Sequence, residues 1–172
     1  DFPDNCFDCV FCAEVLEHIP GVEQACREIA RVAARRIVVG VPFRQDIRLG
    51  RATCRSCGKV SPPWGHVNSF DEARLLSLFP GLRVLSKSFV GITKAATSSL
   101  AAFLMDLGGN PWGTYNQEER CIHCGARLSA PVARPPWRRV CSAVAYHLNR
   151  IQTLFSRSHP KWIHLVFAKS YT

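Results

Sequence analysis

No stretch of this sequence is apolar for long enough to cross a bilayer. Spanning needs about 20 uninterrupted apolar residues, and the best run, residues 95–109, is broken by Thr97, Ser98, Ser99 and Asp106. Charge is sparse as well, at 20% of 172 residues against 47% hydrophobic, which excludes global disorder and suits one domain with a buried core. Acidic residues are the scarcer sign, 13 against 22 Lys and Arg, for a formal net charge of +9. The basic excess gathers late, in Arg134, Arg138, Arg139, Arg150, Arg157 and Lys161, whereas the first thirty residues carry an acidic surplus. Such an excess raises the question of a polyanionic partner. The chain is nevertheless only moderately basic, so nucleic acid is not the expected partner.

The sequence also lacks the even cysteine count of a small disulfide framework: it has nine, in a long and hydrophobic chain. Paired C-x-x-C spacing in such a chain points to metal in a reducing compartment, and so to the cytoplasm. Cys54-x-x-Cys57-Gly58 and Cys121-x-x-Cys124-Gly125 read as two knuckles, each a tight turn whose glycine permits the bend that aims both sulfurs at one point. Cys54, Cys57, Cys121 and Cys124 are therefore the expected ligands of one tetrahedral zinc, with His66 and His123 as possible substitutes for a sulfur. Cys6-x-x-Cys9-x-x-Cys12 resembles the start of an iron–sulfur run, but Leu16 stands where the next cysteine is needed. Cys9 and Cys12 are three apart in a predicted strand and so face opposite sides. With Cys26 and Cys141, these are expected to be small buried hydrophobes.

Residues 7–13 (FDCVFCA) form an apolar run dense in strand formers, and Val22, Ala25, Cys26, Ile29, Ala30 and Ala33 follow at helical spacing. Residues 36–41 (RIVVGV) are apolar without alternation, as in a strand covered on both faces, so strand, helix and strand make a βαβ unit with a parallel pair. Residues 44–67 have no sustained period and read as an inserted loop. Ser69 is the expected cap of a helix carrying Leu75, Leu76 and Phe79 inward and ending at Pro80-Gly81. Residues 82–91 predict a strand, 97–107 a helix, 108–137 a second inserted loop, 137–155 a helix and 162–169 a last strand. The 137–155 helix places Val140, Val144, Leu148, Ile151 and Phe155 on one stripe, expected to be buried with its arginines solvated; contact with a membrane surface is a weaker expectation.

Residues 1–19, DFPDNCFDCVFCAEVLEHI, resemble the central motif of class I S-adenosylmethionine-dependent methyltransferases of the type 11 kind: a P-D-x-x-F-D turn, a strand, then E-x-L-E-H at its carboxyl end. The resemblance implies a doubly wound, Rossmann-like α/β sheet, mostly parallel with an antiparallel last strand, of which this chain supplies the carboxy-terminal part as residues 1–172 of one domain. Zinc knuckles in 44–67 and 108–137 are inserted into it. The Gly-rich turn and the acidic residue that hold the cofactor in the family have no counterpart here, since no G-x-G occurs. The expectation is a fragment, inactive alone. By resemblance Phe2, Cys12, Ala13, Glu14 and Val15 line the cofactor, with Glu17 and His18 near the transferred methyl.

Ligands of an open parallel sheet sit at the carboxyl ends of its strands, which places residues 12–15 at a ligand edge independently of the family. Methyl transfer is an in-line displacement at an already activated carbon, so alignment is the main contribution and a general base is optional. Where one is used, His18 or His66 would take the proton. Trp64 shares the loop with His66, as a packing or a substrate-facing residue. A small-molecule or a lipid- or saccharide-linked methyl acceptor is the expected partner. The rival readings are a zinc-ribbon module binding nucleic acid and a non-catalytic scaffold on the same fold.

Overall fold

In chain order the computed structural model contains β1 (Phe7–Ala13), α1 (Val22–Val32), β2 (Ala33–Pro42), β3 (Ala52–Thr53), β4 (Val60–Ser61), α2 (Glu72–Leu78), β5 (Arg83–Thr93), α3 (Ser99–Leu107), α4 (Pro136–Phe155) and β6 (His159–Ala168). It describes residues 2–115, 118 and 120–169. The chain divides into two compact units, the first built from residues 1–45, 67–93 and 159–172 and the second from 46–66 and 94–158. Both inserted loops thus belong to the second unit, together with α3 and α4.

Unit 1 is a four-stranded mixed sheet in the order β1-β2-β6-β5. β1 and β2 run parallel, while β6 lies antiparallel between β2 and β5, so three strands point one way and the last in sequence opposes them. This is the α/β arrangement expected. One face is the core: Ile37, Val39 and Val41 alternate along β2 and Ile163, Leu165 and Phe167 along β6, all buried, as period two requires. α1 covers it with Val22 and Cys26, one helical turn apart, and α2 with Leu75 and Leu78. Phe79 packs its ring 4.9 Å from that of Phe167.

Three local expectations for this unit are corrected. The cap of α2 is Asp71, whose carboxylate accepts from the Arg74 N–H at 2.8 Å; Ser69 instead donates its hydroxyl to the Gln45 carbonyl. A two-turn helix starting there turns Leu75, Leu78 and Phe79 inward and leaves Leu76 exposed. Cys6 and Cys9 are exposed, as is the first half of β1, which among the described residues pairs with β2 alone, whereas Cys12 and Cys26 are buried as expected and Cys141 is half-buried. Burial raises the pKa of both buried thiols, that of Cys26 to about 12, which leaves them inert.

Unit 2 holds a two-stranded antiparallel sheet, β3-β4, within the first insertion. A small cluster of Ala52, Cys54, Tyr115, Cys121 and Leu128 sits beneath it. Tyr115 ties the loops together: its hydroxyl accepts from the Thr53 N–H at 3.0 Å and donates to the Gly109 carbonyl at 3.2 Å. Gly113 passes so close to this hairpin that a Cβ would lie 2.2 Å from the Arg51 carbonyl oxygen.

The helix α4 differs from expectation in which side it buries. Only Ser142 and Ala145 are buried, while Val140, Val144, Ile151 and Phe155 are exposed. The reason lies in its partner: α3 ends at Gly108, where a Cβ would stand 2.7 Å from Ser142 Cβ and 3.1 Å from the Arg138 carbonyl oxygen. Backbones this close admit only small residues, so the bulky stripe is turned away. Arg134 closes the contact, donating to Gly108 O and Ser142 Oγ at 2.9 Å each.

Candidate functional site

The carboxyl end of β1 is a sharp turn held by main-chain bonds. Glu14 adopts φ 57°, a left-handed conformation costly for a residue with a Cβ, and its N–H donates to the Gly40 carbonyl of β2 at 3.0 Å. Strain of this kind gathers where a turn must present particular groups. Residues Leu16–His18 then form one 3-10 turn, with the His18 N–H donating to Val15 O. The upstream side is equally anchored: Arg31 of α1 pairs with Asp4 and donates to the Phe2 carbonyl, and the Asn5 N–H donates to Arg31 O. The P-D-x-x-F-D turn is therefore bolted to the last turn of α1.

Of the residues expected at a cofactor edge, Cys12 is buried, Ala13 half-buried, and Glu14 and Val15 exposed at the turn. Phe2 is exposed and packs edge-on against Phe7 at 5.0 Å. The edge is thus open, with small or apolar groups beside one carboxylate. Asp1, the first residue of the motif, lies outside the described residues. His18 is half-buried at the end of the same turn. His66 is buried in unit 2, its ring 5.8 Å from that of Trp64, which is half exposed.

Two further residues shape this turn: Asn68, which pattern reading passed over, and Glu17, which was expected near the transferred methyl but not as a buried group. Asn68 is buried, and its side-chain amide donates to Leu16 O at 3.0 Å and to Ile19 O at 2.7 Å, while the N–H groups of Val67 and Asn68 donate to Glu17 O. Arg74 in turn donates to Asn68 Oδ1 at 3.2 Å. An asparagine just before a helix was the available signal, and it was masked by the neighbouring serine.

Glu17 is the other: fully buried, with neither carboxylate oxygen hydrogen-bonded among the described residues. Burial raises its pKa above the ordinary 4.5, Glu14 adds to the rise, and its own N–H and His18 oppose it. A carboxyl whose folded pKa exceeds the unfolded value stabilises the fold fully while protonated in both states, and loses that contribution as pH climbs from the unfolded towards the folded pKa. Glu17→Gln keeps the shape without the charge. Its melting temperature should equal or slightly trail the parent's near about pH 4 and exceed it increasingly as the pH rises to about 8. A difference constant across that range would show that the pKa of Glu17 is the same in the folded and unfolded chain.

In unit 2 the four knuckle cysteines converge. Cys54 and Cys124 place their sulfurs 3.7 Å apart, Cys57 and Cys121 likewise, and all four sulfurs lie within 4.8 Å of one another. Each knuckle is closed in the same way: Cys54 N–H donates to Lys59 O and Gly58 N–H to Cys54 O, while Cys121 N–H donates to Ala126 O and Gly125 N–H to Cys121 O. Gly58 and Gly125 have φ 72° and 70°, the left-handed backbone that makes glycine the suitable residue after each pair.

The donor set suits a soft divalent cation. Zn–S bonds of about 2.3 Å in a tetrahedron set sulfurs about 3.8 Å apart, close to the spacing found. Backbone N–H groups of Cys57 and Ser56 lower the pKa of Cys54. For Cys121 burial opposes ionisation, yet the N–H groups of His123 and Cys124 and the Ser61 hydroxyl bring it down to about 6. Cys124 goes the other way, to about 12: the Ala126 N–H favours its thiolate, but burial and the three neighbouring sulfurs outweigh it. Four thiolates at this spacing thus need a cation among them. The ring of His123 is engaged elsewhere, Nε2 lying 3.0 Å from the Val60 carbonyl oxygen, so it does not replace a sulfur.

A sequence model of the family described as methyltransferase domain matches residues 1–36, which run from the anchored turn through β1, the Glu14 turn and α1 to the start of β2. No curated protein matches the chain. Among solved structures, the chain is similar to the [4+2]-cyclase SpnF, with 15% identity and a TM-score of 0.46 over 99% of this chain and 52% of that one. It is similar also to a SAM-dependent methyltransferase from Archaeoglobus fulgidus, with 13% identity and a TM-score of 0.43 over 98% of this chain and 62% of that one. A third is an S-adenosylmethionine-dependent methyltransferase from Mesorhizobium loti, with 10% identity and a TM-score of 0.45 over 98% of this chain and 64% of that one. The chain therefore spans between half and two thirds of the length of these proteins.

Proposed function

We propose that this chain is the carboxy-terminal part of an S-adenosylmethionine-dependent methyltransferase domain, carrying a structural zinc in its insertions. The observation that carries the reading is the match of residues 1–36 to the methyltransferase-domain family, the segment that builds the strained turn at the carboxyl end of β1. Strand topology supports it, since ligands of such sheets gather at that edge. So does the free side of β1: it pairs only with β2 among the described residues, and Phe7 and Phe11 beside it are exposed. A sheet that continues beyond β1 would cover them.

In this reading Phe2, Cys12, Ala13, Glu14 and Val15 hold one side of the cofactor, which when bound supplies a methyl group already activated for displacement. Ala13 leaves room at the strand end, and Val15 and Phe2 offer apolar surface. Glu14 provides a carboxylate for a hydroxyl or ammonium group. Asn68 and Arg74 are positioning residues that fix the turn carrying them. His18 is the group that takes the acceptor's proton when the nucleophile is oxygen or nitrogen, and His66 is a second candidate base. Zinc, held by Cys54, Cys57, Cys121 and Cys124, has four protein ligands and no open position, the arrangement of a structural rather than a catalytic metal. Thiols kept available for it imply a reducing compartment, the cytoplasm.

Calorimetric titration with S-adenosylmethionine tests this. The full-length protein should bind with micromolar affinity, weakened about tenfold by Glu14→Gln, while the 172-residue chain binds far more weakly or not at all. No binding by the full-length protein would sink the reading. Micromolar binding by the 172-residue chain would show the cofactor-binding residues to be elsewhere.

A further inference from the structure

We propose that α4 of unit 2 docks the protein onto an anionic lipid surface, lying along it without entering the hydrocarbon core. At 100° per residue, Trp137, Val140, Val144, Leu148, Ile151, Leu154 and Phe155 fall within an arc of about 120° along a stripe about 27 Å long. Most of that stripe is open: Val140 is 61% exposed, Leu154 76% and Phe155 83%. α4 packs through Ser142 and Ala145 instead, so the outward stripe follows from how it is packed and is not an end fraying into solvent.

The charge around the stripe is of one sign. The 20 residues of α4 include Arg138, Arg139 and Arg150 and no Asp or Glu, and Arg157 follows the helix. None of these arginines has an ion-pair partner among the described residues. Unit 2 as a whole holds twelve Lys and Arg against four Asp and Glu, or +8; a zinc with four thiolates lowers this to about +6. Arg139 and Arg150 lie on the arc bordering Leu154. An apolar stripe bordered by arginine on a helix of mixed overall character is the pattern of helices that lie in the headgroup plane, and among the described residues no helix is long and apolar enough to cross a membrane.

The other occupants fit less well. A second copy would set one arginine-rich face against another. Nucleic acid would pair with the arginines but leave Val140, Ile151, Leu154 and Phe155 in water, since phosphates offer no apolar surface.

The test is flotation of the 172-residue chain, zinc-loaded, with phosphatidylcholine vesicles containing or lacking phosphatidylglycerol. Binding should require phosphatidylglycerol and fall with salt. Leu154→Asp, at an exposed position, should reduce it about tenfold, and Arg139→Glu with Arg150→Glu by about fivefold for each arginine lost. Circular dichroism and zinc content should stay unchanged in these variants. Absence of binding to phosphatidylglycerol vesicles at low salt, or equal binding to both vesicle types, overturns the proposal. So does binding that Leu154→Asp leaves intact. Salt-dependent binding to poly(U) without vesicle binding would assign the surface to nucleic acid, and a concentration-dependent dimer abolished by Leu154→Asp, again without vesicle binding, to a second copy.

Discussion

Purified from cells, the protein should carry close to one equivalent of zinc, and Cys57→Ser or Cys124→Ser should lower this to a small fraction. Two sulfur pairs 3.7 Å apart, all four within 4.8 Å, match the edge of a tetrahedron around zinc, and two knuckles of the same C-x-x-C-G pattern supply the four ligands that one closed site takes. Cys57 and Cys124 are the exposed members, so their replacement removes a ligand without opening the cluster that Cys54 and Cys121 help to fill. Serine keeps the size but is a poor ligand for a soft site. Metal analysis by mass spectrometry checks the count. Full zinc content in a variant with all four cysteines changed to serine would remove the site altogether.

Stripping that zinc with a chelator near neutral pH should unfold the knuckle region while the β1-β2-β6-β5 sheet stays protected. The cluster beneath the knuckles consists of Ala52, Cys54, Tyr115, Cys121 and Leu128, of which two are ligands and one is an alanine. So small a core does not hold two loops closed, whereas structural zinc contributes on the order of 10 kcal/mol in small zinc-bound folds. Without the cation the sulfurs cannot all remain thiolates, because four negative charges within 4.8 Å of one another repel. Unit 1 has sixteen buried residues in its own core and none of the four ligands. Hydrogen exchange followed by mass spectrometry should find residues 52–61 and 120–128 unprotected in the metal-free protein and residues 37–41 and 163–167 unchanged. Restored zinc should restore the protection. Knuckles that stay protected without metal would mean that their hydrogen bonds and packing suffice.

What was legible in the sequence was written in neighbouring residues. The strand at residues 7–13 and the helix after it follow from an apolar run and a 3.6-residue period, and both stand where expected. The knuckles follow from C-x-x-C-G, because two sulfurs and a left-handed glycine within five residues determine one turn almost regardless of context. The carboxyl edge of β1 was legible through its motif, but the anchoring of that edge was not: Asn68 reaches Leu16 and Ile19 across about fifty residues of sequence. The burial of Glu17, expected only as a residue near the transferred methyl, is the clearest miss. A glutamate in a polar turn gives no sign of full burial, which only the elements packed over it create.

The sequence by itself determined most of the elements, the two cysteine turns and the apolar alternation that makes one face of β2 and β6 a core, since each depends on backbone geometry and side-chain chemistry over a few residues. The tertiary structure alone decided which partner each surface met. It placed the last strand between β2 and β5, brought insertions some sixty residues apart to one set of four sulfurs, and moved the α2 cap from Ser69 to Asp71. It also turned the apolar stripe of α4 outward by seating Ser142 against Gly108. An amphipathic helix specifies that one face is apolar, but the direction of that face is fixed by how closely two backbones can approach, and that is a property of residues far apart in the chain.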